Sequence, residues 1–189
     1  MSHINQSTTG GEKQRMHNGL QAPVRLTGGC QCGAVRYALH AEPEAPCICY
    51  CRMCQKQFGN ILAAFAGVGI EDFELTRGEI AWFQSSYSAR RGFCRDCGTP
   101  LAYGYLLQPR IAMALGSLDR PELVKPKFQY GAEGIVPWLQ DALAVPVSAT
   151  GTAGLQVKAK GDDHYERTAR TNRQHPDHDT ELWPLPHAN

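Results

Sequence analysis

Gly28-Gly29-Cys30-Gln31-Cys32-Gly33 sets two thiols one residue apart between glycines, and Cys94-Arg95-Asp96-Cys97-Gly98 repeats the device later in the chain. A short cysteine knuckle bordered by glycine lets backbone and sulfur turn together around one metal ion. Neither pair closes a tetrahedral site alone, and each lacks two thiolates. If Cys30, Cys32, Cys94 and Cys97 share one ion, that ion staples two distant parts of the chain and fixes their relative placement.

Between the two knuckles runs Cys47-Ile48-Cys49-Tyr50-Cys51-Arg52-Met53-Cys54, which holds the other four of the eight cysteines. Four thiolates close a structural zinc site; three leave one position for a substrate or water. Spacing allows both, with Cys47 either a fourth ligand or a small buried hydrophobe. Iron or an iron–sulfur cluster suits the same donors. Disulfides are disfavoured, because C-x-C bridges are strained. Met1 to Leu20 is also polar and carries no export signal, so a cytoplasmic, reducing compartment is expected.

A chain of 189 residues is expected to form one domain with tails. The reading is a flexible N-terminal tail at 1–21, a zinc-binding domain at 22–148 and a polar, flexible C-terminal tail at 149–189. The C-terminal stretch through His175-Pro176-Asp177-His178-Asp179 has too few apolar residues to offset its chain entropy. Leu182-Trp183-Pro184-Leu185-Pro186 is its one small apolar patch. His3, His17, His164, His175, His178 and His187 all fall in the tails, and His40 alone lies in the body. Metal sites in the body are therefore expected to be all sulfur or nearly so, and a histidine-based nucleophile is not supported. A net charge of +1 gives no general attraction to nucleic acid. No apolar run approaches the roughly 20 residues that span a bilayer, so no membrane partner is expected.

The body reads as mainly β, with few short helices. Val35, Tyr37 and Leu39 alternate with Arg36 and Ala38, the period of a half-buried strand. Ile61 to Val68 is an apolar run of strand length. Phe73 with Leu75, Ile80 with Trp82, Leu101 to Tyr105 and Ile111 to Leu115 supply further strands. Asp119-Arg120-Pro121-Glu122 predicts a loop or one helical turn.

Taken together, Gly28 to Tyr37, Cys49 to Lys56, Arg91 to Leu101, Gly116-Ser117-Leu118-Asp119 and Pro137-Trp138-Leu139 resemble the glutathione-dependent formaldehyde-activating enzyme family, which includes centromere protein V. The resemblance covers roughly 25 to 145. It implies a β-tent of small, coiled antiparallel sheets stapled by zinc, with two zinc ions per chain. By motif, Cys30, Cys32, Cys94 and Cys97 would hold a structural zinc, and Cys49, Cys51 and Cys54 a catalytic one. Two departures stand out. Tyr50 occupies a position usually held by histidine, and Cys47 is an additional possible ligand.

Three thiolates on a divalent ion leave a net charge of −1, which suits an incoming thiol better than ionisation of water. The resemblance thus implies a carbon–sulfur lyase resembling S-(hydroxymethyl)glutathione synthase, acting on glutathione or a similar thiol and formaldehyde or another small aldehyde. Glutathione carries two carboxylates and one ammonium. Arg52 and Lys56 beside the second knuckle are candidates to bind it, and Arg90 and Arg91 approach the third cysteine group in sequence. Phe58 and Trp138 are candidate pocket walls. The alternative is a zinc-stabilised binding module without enzymatic activity.

Overall fold

A computed structural model describes residues 23–147. The tails expected at 1–21 and 149–189, with their histidines and the apolar patch at 182–186, lie outside the described residues. Ten strands dominate, with two short α-helices and single 3₁₀ turns between them. β1 (Leu26–Gly29), β2 (Arg36–Leu39) and β5 (Phe73–Arg77) form a three-stranded antiparallel sheet. The second sheet has seven strands. Along it lie β10 (Phe128–Tyr130), β3 (Glu44–Cys49), β4 (Ala63–Gly69), β9 (Arg110–Ala114), β8 (Pro100–Tyr105), β7 (Ala89–Phe93) and β6 (Ala81–Gln84). The helices are α1 (Arg52–Phe58) and α2 (Leu139–Ala144).

The protein is mainly β with few short helices, as the alternating apolar pattern implies. Two details depart from that pattern. The larger sheet is not wholly antiparallel, because β10 runs parallel to β3, pairing Phe128 with Cys47 and Tyr130 with Cys49. β2 is not half-buried either, since Arg36, Tyr37, Ala38 and Leu39 are all buried. The strand is sandwiched: β1 and β5 flank it in the sheet, while the segment after β9 covers it.

That segment is Gly116-Ser117-Leu118-Asp119, and its polar groups make the burial affordable in energy. Arg36 Nη1 donates to Asp119 Oδ1 at 2.8 Å, and Nη2 pairs with Oδ2. Thr27 Oγ1 donates to Asp119 Oδ2 at 2.6 Å. Tyr37 Oη and Ser117 Oγ lie 2.8 Å apart. A two-point arginine–carboxylate contact with a further donor satisfies the buried charges that would otherwise be costly. Gly28 is required here, because a Cβ on it would lie 2.4 Å from the Tyr37 hydroxyl oxygen and 2.5 Å from the Ser117 carbonyl oxygen.

Apolar packing unites the two sheets. Leu39, Leu101 and Met113 are fully buried, and Val35, Tyr37, Val68, Ile111 and Leu118 join them in one cluster. A second, smaller cluster of Cys54, Ala63, Phe65 and Ala112 lies beneath α1. The turns that carry the cysteines are set by these paired strands. Gln31 to Val35 closes the β1–β2 hairpin, Cys94 to Thr99 closes β7–β8, and the remaining cysteines follow the end of β3 into α1. Among the described residues no helix is long and apolar enough to cross a membrane.

Candidate functional site

The Sγ atoms of Cys30, Cys32, Cys94 and Cys97 all lie within 4.8 Å of one another. Cys30 and Cys32 come from the smaller sheet's hairpin, and Cys94 and Cys97 from the larger sheet's hairpin, so the group bridges the sheets. Cys30 and Cys32 sulfurs are 3.5 Å apart, and Cys32 and Cys94 sulfurs 3.8 Å. These separations are far beyond a disulfide bond of about 2.05 Å. They match the edge of about 3.8 Å that follows from a tetrahedral zinc with bonds of about 2.3 Å to sulfur.

Backbone geometry points donors at these sulfurs. Val35 N–H donates to Cys30 Sγ at 3.2 Å, and the Thr99 hydroxyl lies 3.1 Å from Cys97 Sγ. Burial pushes the Cys94 thiol up to about 11 and raises Cys32 as well. At Cys97, burial is outweighed by the Thr99 hydroxyl and backbone donors, which bring the thiol down to about 7. Buried thiols held this close cannot all ionise without a cation among them, so the donor set fits a divalent metal.

The second group contains three sulfurs. Cys49, Cys51 and Cys54 place their Sγ atoms within 4.8 Å of one another, and Cys47 is not part of that group. Cys49 ends β3, Cys51 occupies the position before α1, and Cys54 faces inward from its first turn. Cys47 lies on the same side of β3 as Cys49, two pairs further along the ladder, opposite Phe65 rather than Ala63. Strand alternation gives the two residues a common face, while the turn into α1 curls Cys51 and Cys54 towards Cys49 and away from Cys47.

A loop that cysteine spacing does not reveal supports this turn. Gly131, at φ +67°, follows β10, and a Cβ there would lie 2.6 Å from the Cys51 amide nitrogen. Tyr50 N–H donates to the Tyr130 carbonyl at 2.9 Å. Buried Gln55 donates to the carbonyls of Gly134 at 2.8 Å and Ile61 at 3.0 Å. Tyr50 is 5% exposed and its hydroxyl donates to Gln129 Oε1 at 3.0 Å. It therefore ties β10 to the knuckle. We expect Gly131→Ala to destabilise the protein by about 1–3 kcal/mol through strain and overlap. Metal quantification should show the second site losing occupancy while the first keeps it.

Cys47, Cys49 and Cys54 line a cavity of about 260 Å³, together with Glu44, Phe65, Tyr103, Tyr105, Arg110 and Tyr130. A larger depression of about 540 Å³ adjoins Cys30 and Cys97, beside the four-sulfur group. Size does not decide between them. Four thiolates already complete a tetrahedron, whereas three leave a position for an incoming group, so the smaller cavity has the better chemistry.

The candidate basic residues are distributed differently from their sequence proximity. Arg52 and Lys56 line a separate cleft with Met53, Gln57, Phe83, Ser85 and Arg91. Arg90 stacks over Trp82, 4.0 Å from the ring centroid. Arg91, adjacent in sequence to the third cysteine group, instead reaches the second: its Nη1 donates to Cys54 Sγ at 3.4 Å. Strand alternation explains the split, sending Arg90 outward and Arg91 inward. Burial pushes Cys54 up to about 12, against the pull of Arg91.

The cavity's own cation is Arg110 at the start of β9, which Glu44 holds through a 2.5 Å contact with Nη1. No local motif marks Arg110, and only the β4–β9 pairing brings it near Cys47 and Cys49. Phe58 packs edge-on against Phe65 beneath the site rather than lining the cavity. Trp138 is 52% exposed and lines none of these three hollows. His40 pairs with Glu74 at 2.8 Å, outside both sulfur groups.

Comparison with known proteins adds two findings. The family described as glutathione-dependent formaldehyde-activating enzyme matches residues 25–132. A solved structure of a Rhodobacter sphaeroides protein is 24% identical, with a TM-score of 0.42, and the alignment covers 56% of this chain and 99% of that one.

Proposed function

With more than half of its length matched, the chain belongs to the glutathione-dependent formaldehyde-activating enzyme family, and on that premise we propose that it is a zinc-dependent carbon–sulfur lyase. The reaction joins glutathione, or a similar thiol, to formaldehyde or another small aldehyde. A carbon–sulfur bond forms as the carbonyl π bond opens, and the thiol proton ends on the new hydroxyl. The reverse direction breaks the same bond. The observation that carries this reading is the three-sulfur group, two of whose members, Cys49 and Cys54, line a cavity.

In this proposal Cys49, Cys51 and Cys54 hold the catalytic zinc, and Cys30, Cys32, Cys94 and Cys97 the structural one. Bound zinc would lower the pKa of an incoming thiol and hold it near the aldehyde. The chain itself supplies the surroundings. Tyr103 is fixed edge-on between Phe65 and Tyr105, giving one wall a rigid aromatic face. Tyr105 lines the same cavity, and its phenol, protonated at neutral pH, would serve as a hydrogen-bond donor for the aldehyde oxygen. Arg110 replaces Arg52 and Lys56 as our candidate for a substrate carboxylate, because it lines the cavity and they do not. A cytoplasmic location, where thiols stay reduced, suits both the cysteines and the substrate.

The test is the exchange rate between ¹³C-formaldehyde and S-(hydroxymethyl)glutathione, followed by NMR with the purified protein. We expect acceleration over the uncatalysed rate, and its absence would refute the reading. Cys47→Ala is expected to leave both metal content and exchange unchanged, because Cys47 stands outside the three-sulfur group. X-ray absorption showing four protein sulfurs on the second metal before substrate is added would favour the binding-module alternative.

A further inference from the structure

We propose that Arg91 is the fixed counter-cation of the three-cysteine site, and that it enables this site to accept an anionic sulfur ligand. The inference rests on the assignment of Cys49, Cys51 and Cys54 to one metal.

Arg91 is 3% exposed. Its Nε donates to Ser85 Oγ at 3.2 Å and its Nη1 to Cys54 Sγ at 3.4 Å. Its guanidinium carbon lies 4.6 Å from the centroid of Tyr103, a cavity residue. No carboxylate pairs with it among the described residues. Folds rarely bury a charge without a partner of opposite sign. Here a hydroxyl and an aromatic face are neutral, so the countercharge comes from sulfur.

The charge count shows what this achieves. Three thiolates on a divalent ion total −1, and a fourth thiolate would make the site −2. Arg91 brings these totals to 0 and −1, and it does so from a position with little water to screen it. A neutral ligand gains nothing comparable. Arg91 therefore favours thiolates as a class, whatever else the substrate carries. The stacking on Tyr103 couples this cation to the cavity wall, so charge and shape are set by one side chain. Arg91 touches a proposed ligand and not the reacting atoms, which makes it a positioning residue.

Cobalt(II) in place of zinc tests this without turnover, because its visible and near-ultraviolet bands report sulfur ligation. The protein is titrated with glutathione and with 2-mercaptoethanol, which has no carboxylate for other arginines to bind. Arg91→Gln should weaken both thiols by at least about tenfold, the scale of one charge-assisted contact. Arg91→Lys should stay within about threefold of wild type, since it restores charge without the original fit. Equal 2-mercaptoethanol affinity in wild type and cobalt-loaded Arg91→Gln would overturn the inference. So would a loss in Arg91→Lys as large as in Arg91→Gln, which would mark a packing role. If Arg91→Gln does not fold, Ser85→Ala loosens the guanidinium; a few-fold weakening is then expected, and unchanged affinity overturns the inference. A wild-type spectrum that responds to neither thiol would instead refute the open-site reading itself, before any variant is compared.

Discussion

Cys97→Ser is expected to abolish the soluble, folded protein or leave it melting far below wild type. Cys97 is the most exposed of the four sulfurs that bridge the two sheets, so packing alone would tolerate the change. Loss of the proposed metal would not be tolerated. Structural zinc contributes free energy on the order of 10 kcal/mol to small domains, which equals or exceeds the net stability of most. The β1–β2 and β7–β8 hairpins would then be held together by the apolar cluster around Leu101 and Met113 and by the Gln31 N–H bond to Thr99 Oγ1. Thermal melting with metal quantification checks this. A Cys97→Ser protein that melts like wild type and keeps both metals would remove Cys97 from the ligand set.

Cys54→Ser should abolish thiol–aldehyde exchange and one metal per chain while leaving the fold in place. The three sulfurs are local in sequence, so their metal closes only a short loop and restrains little distant chain. The fold still registers the change. Cys54 is 3% exposed, packs against Phe65 and Ala112, and accepts from Arg91. A hydroxyl there is smaller and more polar than the thiol, at a cost of about 1–3 kcal/mol. Circular dichroism melting, metal content and exchange rate, measured on one preparation, separate the two cysteine variants. Unfolding of Cys54→Ser as severe as that of Cys97→Ser would mean that the structural and functional roles are reversed.

The chemistry of the site was legible in sequence to the extent that it resides in short knuckles. Residues one or two apart in a turn meet whatever the rest of the chain does, so spacing grouped Cys47, Cys49, Cys51 and Cys54, and the structure brings the last three together without Cys47. The long-range pairing of Cys30 and Cys32 with Cys94 and Cys97 was also accessible, because each half has too few ligands alone. Strands at 63–69, 100–105 and 110–114 follow apolar runs, and that at 73–77 follows the alternation of Phe73 and Leu75 with polar residues. β1, with two glycines among its four residues, and β10, with three exposed residues, carry no such signal.

Sequence by itself determined the donor inventory, the mainly β class and the separation of the two glycine-bordered knuckles from the cysteine run at 47–54. Those properties depend on composition, period and local turn geometry, which are fixed within a few residues. Tertiary structure alone decided the surroundings. It placed Arg110 by the cavity, Arg52 and Lys56 in another cleft, Arg91 against Cys54, and Gly131 beneath Cys51. The register between strands far apart in sequence sets the places of Arg110 and Arg91, while the turn into α1 and the loop after β10 set those of Arg52, Lys56 and Gly131. A one-residue slip in β7 would exchange Arg91 for Arg90 at the sulfur, because successive side chains on a strand face opposite sides.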